Sequence, residues 1–261
     1  MNLSISNIAW KKEQDEKIYR IMRNYGIEGL EIAPTRVIAE NPYDSIEEAK
    51  TWYNGICEIY KFSIPSMQSI WYGRKENIFG SEEERHILFE YTKKAIDFAE
   101  AIHCNNLVFG CPKNRYLPDG EDGEIAVSFF RELGDYAMKH NTVIGMEANP
   151  VIYNTNYIND TASAIELIRK VGSEGFKLNL DIGTMICNEE LVEVIEDSID
   201  IINHVHISEP ELKPLRQRMI HNEIIEVLRQ GNYKGFVSIE MGTVEEINII
   251  EESIKYIINL V

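Results

Sequence analysis

The chain has 261 residues, of which 44% are apolar and 26% are charged, and its formal net charge is −17. This charge argues against DNA or RNA as a partner, because binding a phosphate backbone requires clustered Lys and Arg. No stretch approaches the roughly 18 uninterrupted apolar residues of a membrane span. The chain start lacks a basic-then-apolar secretory pattern, and the four cysteines form no CxxC pair, which is typical of reduced thiols. We therefore expect a cytoplasmic protein that binds neither nucleic acid nor membrane.

Short apolar runs alternate with amphipathic segments through the first half of the chain. The pattern predicts strands at residues 3–9, 27–33, 62–68 and 105–110, and helices at about 14–25, 45–60, 81–103 and 124–140. The third helix has the clearest signal, since Ser81 and Glu84 form a capping box ahead of apolar residues at helical spacing. Each predicted strand is followed by one helix, as in a βα unit.

The second half continues the same alternation. It predicts strands at 142–147, 176–181, 203–208 and 235–240, and helices at about 161–171, 189–200, 217–230 and 244–258. Alternating βα units indicate a parallel sheet, and eight of them in about 260 residues predict an α/β protein with one (β/α)8 TIM-barrel domain over residues 1–261. The alternative is an open doubly wound sheet. It calls for a Gly-rich loop after the first strand, and the segment NIAWKKEQ contains no glycine.

The last four predicted strands end on residues that can bind a metal. In a barrel, alternate strand residues point inward and the C-terminal strand ends carry the active site, which places Glu147, Asp181, His206 and Glu240 together. Neighbouring carboxylates raise one another's pKa unless a cation compensates them. Hard oxygen ligands with one imidazole suit one divalent ion, Mn²⁺, Co²⁺, Mg²⁺ or Zn²⁺. The alternative for each residue is a hydrogen-bonded polar side chain at a loop edge, and that is the role we expect for the deeper His204.

The segments MEANP, LDIGT, HVHISEP and VSIEM resemble the xylose-isomerase-like TIM barrels, and the resemblance extends over essentially the whole chain. That superfamily includes ketose 3-epimerases, hydroxypyruvate isomerases, inosose dehydratases and endonuclease-IV-type DNA repair enzymes. The segments SMQSIWYG and LVFGCPKNR resemble its sugar phosphate isomerase or epimerase group. The resemblance implies that Glu147, Asp181, His206 and Glu240 bind the metal, and that Glu147 and Glu240 are also catalytic. The implied reaction moves a proton next to a metal-polarised carbonyl of a small sugar, sugar acid or sugar phosphate. It also implies a possible homo-oligomer.

The sequence departs from this family at one position and leaves other functions open. Many members have a His three residues after the aspartate, where this chain has Thr184, which cannot take up a proton near neutral pH. We expect Thr184 to bind substrate and His221 to contact substrate or a second metal, the alternative for His221 being a capping or surface role. A dehydratase with the same site and a non-catalytic sugar-binding barrel remain alternatives. Endonuclease activity is disfavoured, because His86, His103 and His140 belong to predicted helices rather than to strand ends, so that too few histidines remain for the three-zinc site of that group. Met219 also stands where that group has an aspartate.

Several residues near the strand ends are candidates for substrate binding. Lys113, Asn114 and Arg115 follow the fourth strand, and an Arg there can clamp a phosphate or carboxylate. Gln68 ends the third strand on its inward face, and Trp71 lies close enough to cover a sugar ring. The alternatives are a solvated loop for the basic residues and simple packing for the tryptophan. The inward-facing Glu31 is expected to bind a hydroxyl group or to pair with a cation.

Overall fold

The computed structural model of the protein describes residues 1–261, and its centre is one parallel sheet. The strands are β1 (Asn2–Ser6), β2 (Gly29–Glu31), β3 (Asn106–Phe109), β4 (Val143–Met146), β5 (Phe176–Asp181), β6 (Ile202–Ile207) and β7 (Phe236–Ile239). They are arranged in the order β2-β1-β7-β6-β5-β4-β3. The sheet therefore brings the first and last strands of the chain side by side, as in a barrel.

Residues 63–68, which we call the closing segment, connect the two edges of this sheet. On one side the amide of Gln68 donates to the carbonyl of Ile32 at 2.8 Å, and on the other the amide of Met67 donates to the carbonyl of Asn106 at 2.9 Å. This segment is the third predicted strand, but it forms only isolated bridges because Pro65 has no amide hydrogen for a continuous ladder. The α/β TIM barrel predicted from the sequence is confirmed, with a less regular third strand.

Ten α-helices accompany the strands. They are α1 (Asp15–Asn24), α2 (Pro34–Val37), α3 (Ile46–Tyr60), α4 (Glu82–Ala101), α5 (Glu124–Lys139), α6 (Thr161–Val171), α7 (Ile182–Asn188), α8 (Glu193–Glu196), α9 (Met219–Gln230) and α10 (Ile247–Leu260). None of them is both long enough and apolar enough to cross a membrane. Seven of the eight predicted helices are present within three residues at each end.

The prediction of one helix at about 189–200 was wrong. The chain instead turns into α7 directly after β5, because the carboxylate of Asp181 accepts hydrogen bonds from the amides of Gly183 at 3.2 Å and Thr184 at 3.0 Å. An Asp that bonds these otherwise unpaired amides favours a helix start at that position. The helix ends at Glu189, which has φ of +55°, and the short α8 follows.

The two faces of the strands differ as the alternation predicts. Apolar residues on one face, such as Leu180 and Val205, belong to a hydrophobic core cluster of 61 buried residues. On the other face, the register pairs Asn179 with His204 and Asp181 with His206. Burial of the apolar face against the helices stabilises the barrel, and the polar face supplies the side chains of the candidate site.

Candidate active site

Three potential ligand side chains meet at the C-terminal end of the barrel. Glu147 follows β4, His206 lies in β6 and Glu240 follows β7. Nδ1 of His206 lies 3.0 Å from Oε2 of Glu147 and 3.3 Å from Oε2 of Glu240. One ligand atom from each of the three residues lies within 4.8 Å of the other two. The sequence therefore places an imidazole from β6 between two carboxylates that follow β4 and β7.

The opposite nitrogen of His206 faces a second carboxylate. Nε2 of His206 lies 2.8 Å from Oε2 of Glu31, which ends β2 and is completely buried. Nε2 of His204 lies 3.1 Å from the same oxygen, although its angle does not satisfy a hydrogen bond. Of the two options open for Glu31 from sequence, pairing with a cationic group fits this geometry, because Nε2 of His206 donates to it and Nδ1 is left facing Glu147 and Glu240.

The electrostatics of the cluster follow from burial and from these pairs. Burial opposes the charge on His206, but Glu240 and Glu31 together hold the pKa of the imidazole well above its usual range. Burial also opposes ionisation of Glu31, but the charge of His206 holds the pKa of this carboxyl well below its usual range. Burial raises the pKa of Glu240 to about 7, against the lowering influence of His206. Such shifts are typical of functional sites.

Asp181 lies beside this cluster and has protein partners of its own. Its carboxylate accepts a hydrogen bond from the Thr184 hydroxyl at 2.8 Å and a short one from the Ser208 hydroxyl, in addition to the two amides of α7. Burial, and then the charge of Glu147, raises the pKa of Asp181. Asp181 is not part of the three-residue group within 4.8 Å. Its role as a fourth metal ligand remains a prediction.

Thr184 is held by the protein on both sides of its hydroxyl. Its Oγ1 lies 2.8 Å from Oδ2 of Asp181 and 2.9 Å from the carbonyl oxygen of Ala148, so that its single hydrogen faces two acceptors, and the residue is 1% exposed. The threonine that replaces the family histidine thus connects the carboxylate of β5 to the chain after β4. Its expected contact with substrate is not tested by this geometry.

The residues CPKNR after β3 do not act as one cationic patch. Lys113 is exposed, whereas the Arg115 guanidinium is fully buried and donates to protein acceptors. The Asn114 amide is also buried and donates to the carbonyls of Arg74 and Glu76. Binding of a substrate anion by Arg115 would require it to give up these protein acceptors.

The other predicted substrate residues are also engaged within the protein. Gln68 donates to the Ser6 hydroxyl at 2.9 Å and to Oε1 of Glu31 at 3.1 Å. The Trp71 indole is 2% exposed and donates to the Thr92 hydroxyl at 2.8 Å. These contacts favour the packing alternative for Trp71. The amide of Gln68 is hydrogen-bonded to the carboxylate of Glu31.

His221 lies in α9 and belongs to neither group of potential metal ligands in the barrel. Nδ1 of His221 is 2.9 Å from the Tyr256 hydroxyl, and Nε2 is buried without a partner. Burial lowers the pKa of His221 to about 4. A surface cavity of about 700 Å³ lies nearby between α9 and α10 and holds none of the strand-end residues. The charged groups that could hold a metal converge instead at the strand ends.

Two asparagines that the sequence analysis did not single out hold the carboxylate of Glu147. Asn149 donates to Oε1 at 3.0 Å and Asn179 donates to Oε2 at 3.0 Å. Gly110 leaves room for this arrangement, since a Cβ there would lie 2.7 Å from Oε1 of Glu147. The inward parity of Asn179 was a usable signal in the sequence, whereas the position of Asn149 depends on the fold of the loop after β4.

Comparisons with known proteins agree with this architecture. The family model described as a xylose isomerase-like TIM barrel matches residues 19–260. The chain belongs to this family. Among solved structures, the 3-keto-D-glucoside 4-epimerase from E. coli has a TM-score of 0.79 at 18% identity, covering 99% of both chains. None of the curated proteins compared with the sequence matches it significantly.

Two further solved structures are similar to this chain in fold but are named for different activities. The D-psicose 3-epimerase from Clostridium cellulolyticum H10, solved with D-tagatose, has a TM-score of 0.78 at 16% identity and covers 99% of this chain and 97% of its own. A family 2 AP endonuclease from Brucella melitensis has a TM-score of 0.74 at 18% identity and covers 99% of both chains. Likeness at this level of identity shows the fold, and function has to be argued from the site.

The side chains at the strand ends fit a divalent cation. Two buried carboxylates and one imidazole converge, and the repulsion between the carboxylates raises the pKa of Glu240 in addition to the effect of burial. Oxygen and nitrogen donors of this kind are those that Mn²⁺, Co²⁺, Mg²⁺ and Zn²⁺ accept.

Proposed function

We propose that the protein is a metal-dependent isomerase or epimerase that acts on a small sugar, sugar acid or sugar phosphate. The observation that carries this proposal is the pair of carboxylates from Glu147 and Glu240, which approach the same nitrogen of His206 at 3.0 and 3.3 Å. Two carboxyl groups at one site can serve as base and acid in a single reaction. The named sugar epimerases among the structural neighbours support a carbohydrate substrate.

The residues that would hold the metal are Glu147, His206 and Glu240, with Asp181 as the fourth ligand predicted from sequence. Glu31 keeps Nε2 of His206 occupied, which leaves Nδ1 for the metal. A divalent cation in this place supplies polarisation of a substrate carbonyl and its neighbouring hydroxyl, which acidifies the C–H bond between them.

The two glutamates would then move protons. One carboxylate removes the proton from the acidified carbon, and the other carboxyl returns a proton to the opposite face, which inverts the centre. Delivery to the neighbouring carbon instead gives aldose–ketose isomerisation. The pKa of Glu240, raised to about 7, suits a group that both accepts and donates a proton near neutral pH.

DNA repair is the less well supported function for the same barrel. One of the structural neighbours is named an AP endonuclease. The net charge of −17 opposes the approach of a polyanion such as DNA. A carbohydrate of low charge does not meet this repulsion.

Proton exchange with solvent tests the proposal directly. The metal-loaded protein would be incubated in D₂O with a panel of ketoses, ketose phosphates and keto acids, and deuterium at the carbon next to the carbonyl would be followed by NMR. We expect incorporation into at least one compound, and a loss of about 10²-fold or more in the Glu147→Gln and Glu240→Gln variants. Full exchange in Glu240→Gln would overturn the assignment of this residue.

Two controls accompany this experiment. Glu246→Gln changes an exposed glutamate six residues after Glu240 and is expected to keep the wild-type exchange rate.

Elemental analysis of wild type and of Asp181→Ala, both purified without added metal, measures the metal content. We expect about one equivalent in the wild type and less in the variant. Absence of metal from the wild type even after reconstitution would refute metal dependence.

A further inference from the structure

The Arg115 guanidinium has an unusual environment for a charged group. It is fully buried, and its hydrogen-bond acceptors are all neutral: the sulfur of Met146 at 3.9 Å, the carbonyl of Glu147 at 2.9 Å, the side-chain oxygen of Asn149 at 2.9 Å and the carbonyl of Ile158 at 3.3 Å. Burial lowers the pKa of Arg115 to about 10. Since burying a charge away from a counter-ion is costly, the contacts that this arginine makes must offset a substantial penalty.

The three oxygen acceptors all lie in the chain that follows β4, and this chain begins with Glu147. Nη1 of Arg115 binds the backbone of Glu147, and Nη2 binds the side chain of Asn149. Asn149 in turn donates from Nδ2 to Oε1 of Glu147 at 3.0 Å. Arg115 is therefore joined to the same glutamate twice, once through its main chain and once through the asparagine amide.

The chemistry of the two end groups fixes the orientation of the asparagine. A guanidinium has only donors, so the Asn149 atom that faces it is the oxygen, and the NH₂ group must point to the other side. An ionised carboxylate has only acceptors, so it requires that NH₂ group. Arg115 prevents the amide of Asn149 from rotating by half a turn, because the rotated amide would set donor against donor.

We propose that Arg115 is a positioning residue for Glu147, acting through Asn149 and through the main chain of the glutamate. This inference rests on the proposed function of Glu147 for its catalytic meaning, but its structural content does not depend on it. It replaces the sequence-based expectation that Arg115 binds an anionic group of the substrate.

A double-mutant cycle without metal tests the orientation. Gln at position 147 carries an NH₂ group, and in an Arg115→Met background Asn149 is free to rotate and accept from it. Glu147→Gln is expected to raise the unfolding equilibrium constant in both backgrounds. The factor of this increase should be about fivefold smaller in Arg115→Met than in the wild type, because one hydrogen bond is regained there. Urea unfolding of the four proteins in chelator measures both factors. Equal factors in the two backgrounds would overturn the proposal.

Glu240→Gln provides the matched control for this cycle. Glu240 lies on the other side of His206, and no hydrogen bond joins it to Asn149 or Arg115. Its substitution is expected to raise the unfolding constant by the same factor with either residue at position 115. If Arg115→Met reduced the factors for Glu147→Gln and Glu240→Gln equally, Arg115→Met would only destabilise the barrel in general, and the proposal would be wrong.

Mn²⁺ affinity gives a second, independent readout by titration calorimetry. We expect Arg115→Met to bind Mn²⁺ about tenfold more weakly than the wild type, as for other residues that orient metal ligands, and Arg115→Lys to recover part of the loss. Arg36→Met is the control, because Arg36 donates to the carbonyls of Asn7 and Trp10 after β1 and contacts none of the ligands. Wild-type affinity in Arg115→Met would overturn the proposal. Absence of Mn²⁺ binding by the wild type would refute the proposed function, while the metal-free cycle would still decide the role of Arg115.

Discussion

Replacement of Glu31 by Gln is expected to be among the most destabilising single changes in the barrel interior. Glu31 is completely buried, and its Oε2 lies 2.8 Å from Nε2 of His206 and 3.1 Å from Nε2 of His204. Its other oxygen accepts a hydrogen bond from Gln68 at 3.1 Å. The two carboxylate oxygens therefore face three nitrogen groups and carry the charge that compensates His206.

The expected magnitude follows from these contacts. The amide of a glutamine offers one acceptor oxygen, and its NH₂ group must face at least one of the three nitrogen groups. Breaking a buried ion pair by removing one partner costs about 3–5 kcal/mol. A buried donor left without an acceptor costs about 1–3 kcal/mol. The two estimates describe overlapping losses, so we expect the free energy of unfolding to fall by about 3–5 kcal/mol.

Urea unfolding at pH 7 in the presence of chelator measures this loss. The matched control is Glu28→Gln, since Glu28 is exposed and lies only three residues before Glu31. The control is expected to change the free energy of unfolding by less than about 0.5 kcal/mol. A loss below about 1 kcal/mol in Glu31→Gln would refute the ion-pair reasoning, because it would mean that His206 does not depend on this carboxylate for its charge.

Three other predictions concern single positions. Gly110→Ala would bring a Cβ to 2.7 Å from Oε1 of Glu147, and it is expected to lower the free energy of unfolding in urea by about 1–3 kcal/mol. Gly55→Ala is the control, because its Cβ meets nothing within 4 Å, and it should be neutral or stabilising by up to about 1 kcal/mol. Similar values for the two variants would refute the steric conflict between a Cβ at position 110 and Glu147. Because the pKa of His221 is lowered to about 4, the unfolded chain takes up its proton first, and wild-type stability should fall by roughly 2 kcal/mol from pH 7 to pH 5 through this residue. His221→Gln should remove that part of the slope, and an unchanged slope would refute it. Trp71→Phe should lower the free energy of unfolding by about 1–2 kcal/mol without changing sugar affinity in calorimetry, whereas a selective loss of affinity would restore the sequence-based role.

The fold was predictable because its signal repeats along the chain. Each βα unit carries the same alternation, so that an error in one unit does not change the architecture. The errors have local physical causes. Pro65 removes a donor from the third strand, and the side chain of Asp181 starts a helix at the strand end.

The site was predictable only as far as strand parity extends. Parity brings Glu147, His206 and Glu240 together, and the structure agrees. The position of Arg115 was not predictable in the same way, because it depends on contacts with acceptors 31 to 43 residues away in sequence. A charged residue beside the exposed Lys113 gives no sign that it is buried.

The supporting contacts divide the potential ligands into two kinds. His206 is held by Glu31, Glu147 is held by Asn149 and Asn179, and Asp181 has its own set of donors after β5 and β6.

Glu240 differs from these residues, since its carboxylate contacts the imidazole of His206 at 3.3 Å and accepts no hydrogen bond from an amide or hydroxyl group of the protein. A carboxylate that is buried without such donors is the one whose charged form is least stabilised, and the pKa of Glu240 is accordingly raised to about 7. Of the two glutamates proposed to exchange protons, Glu240 is therefore the one whose raised pKa suits it to carry a proton near neutral pH, whereas the carboxylate of Glu147 is fixed in position by Asn149 and Asn179.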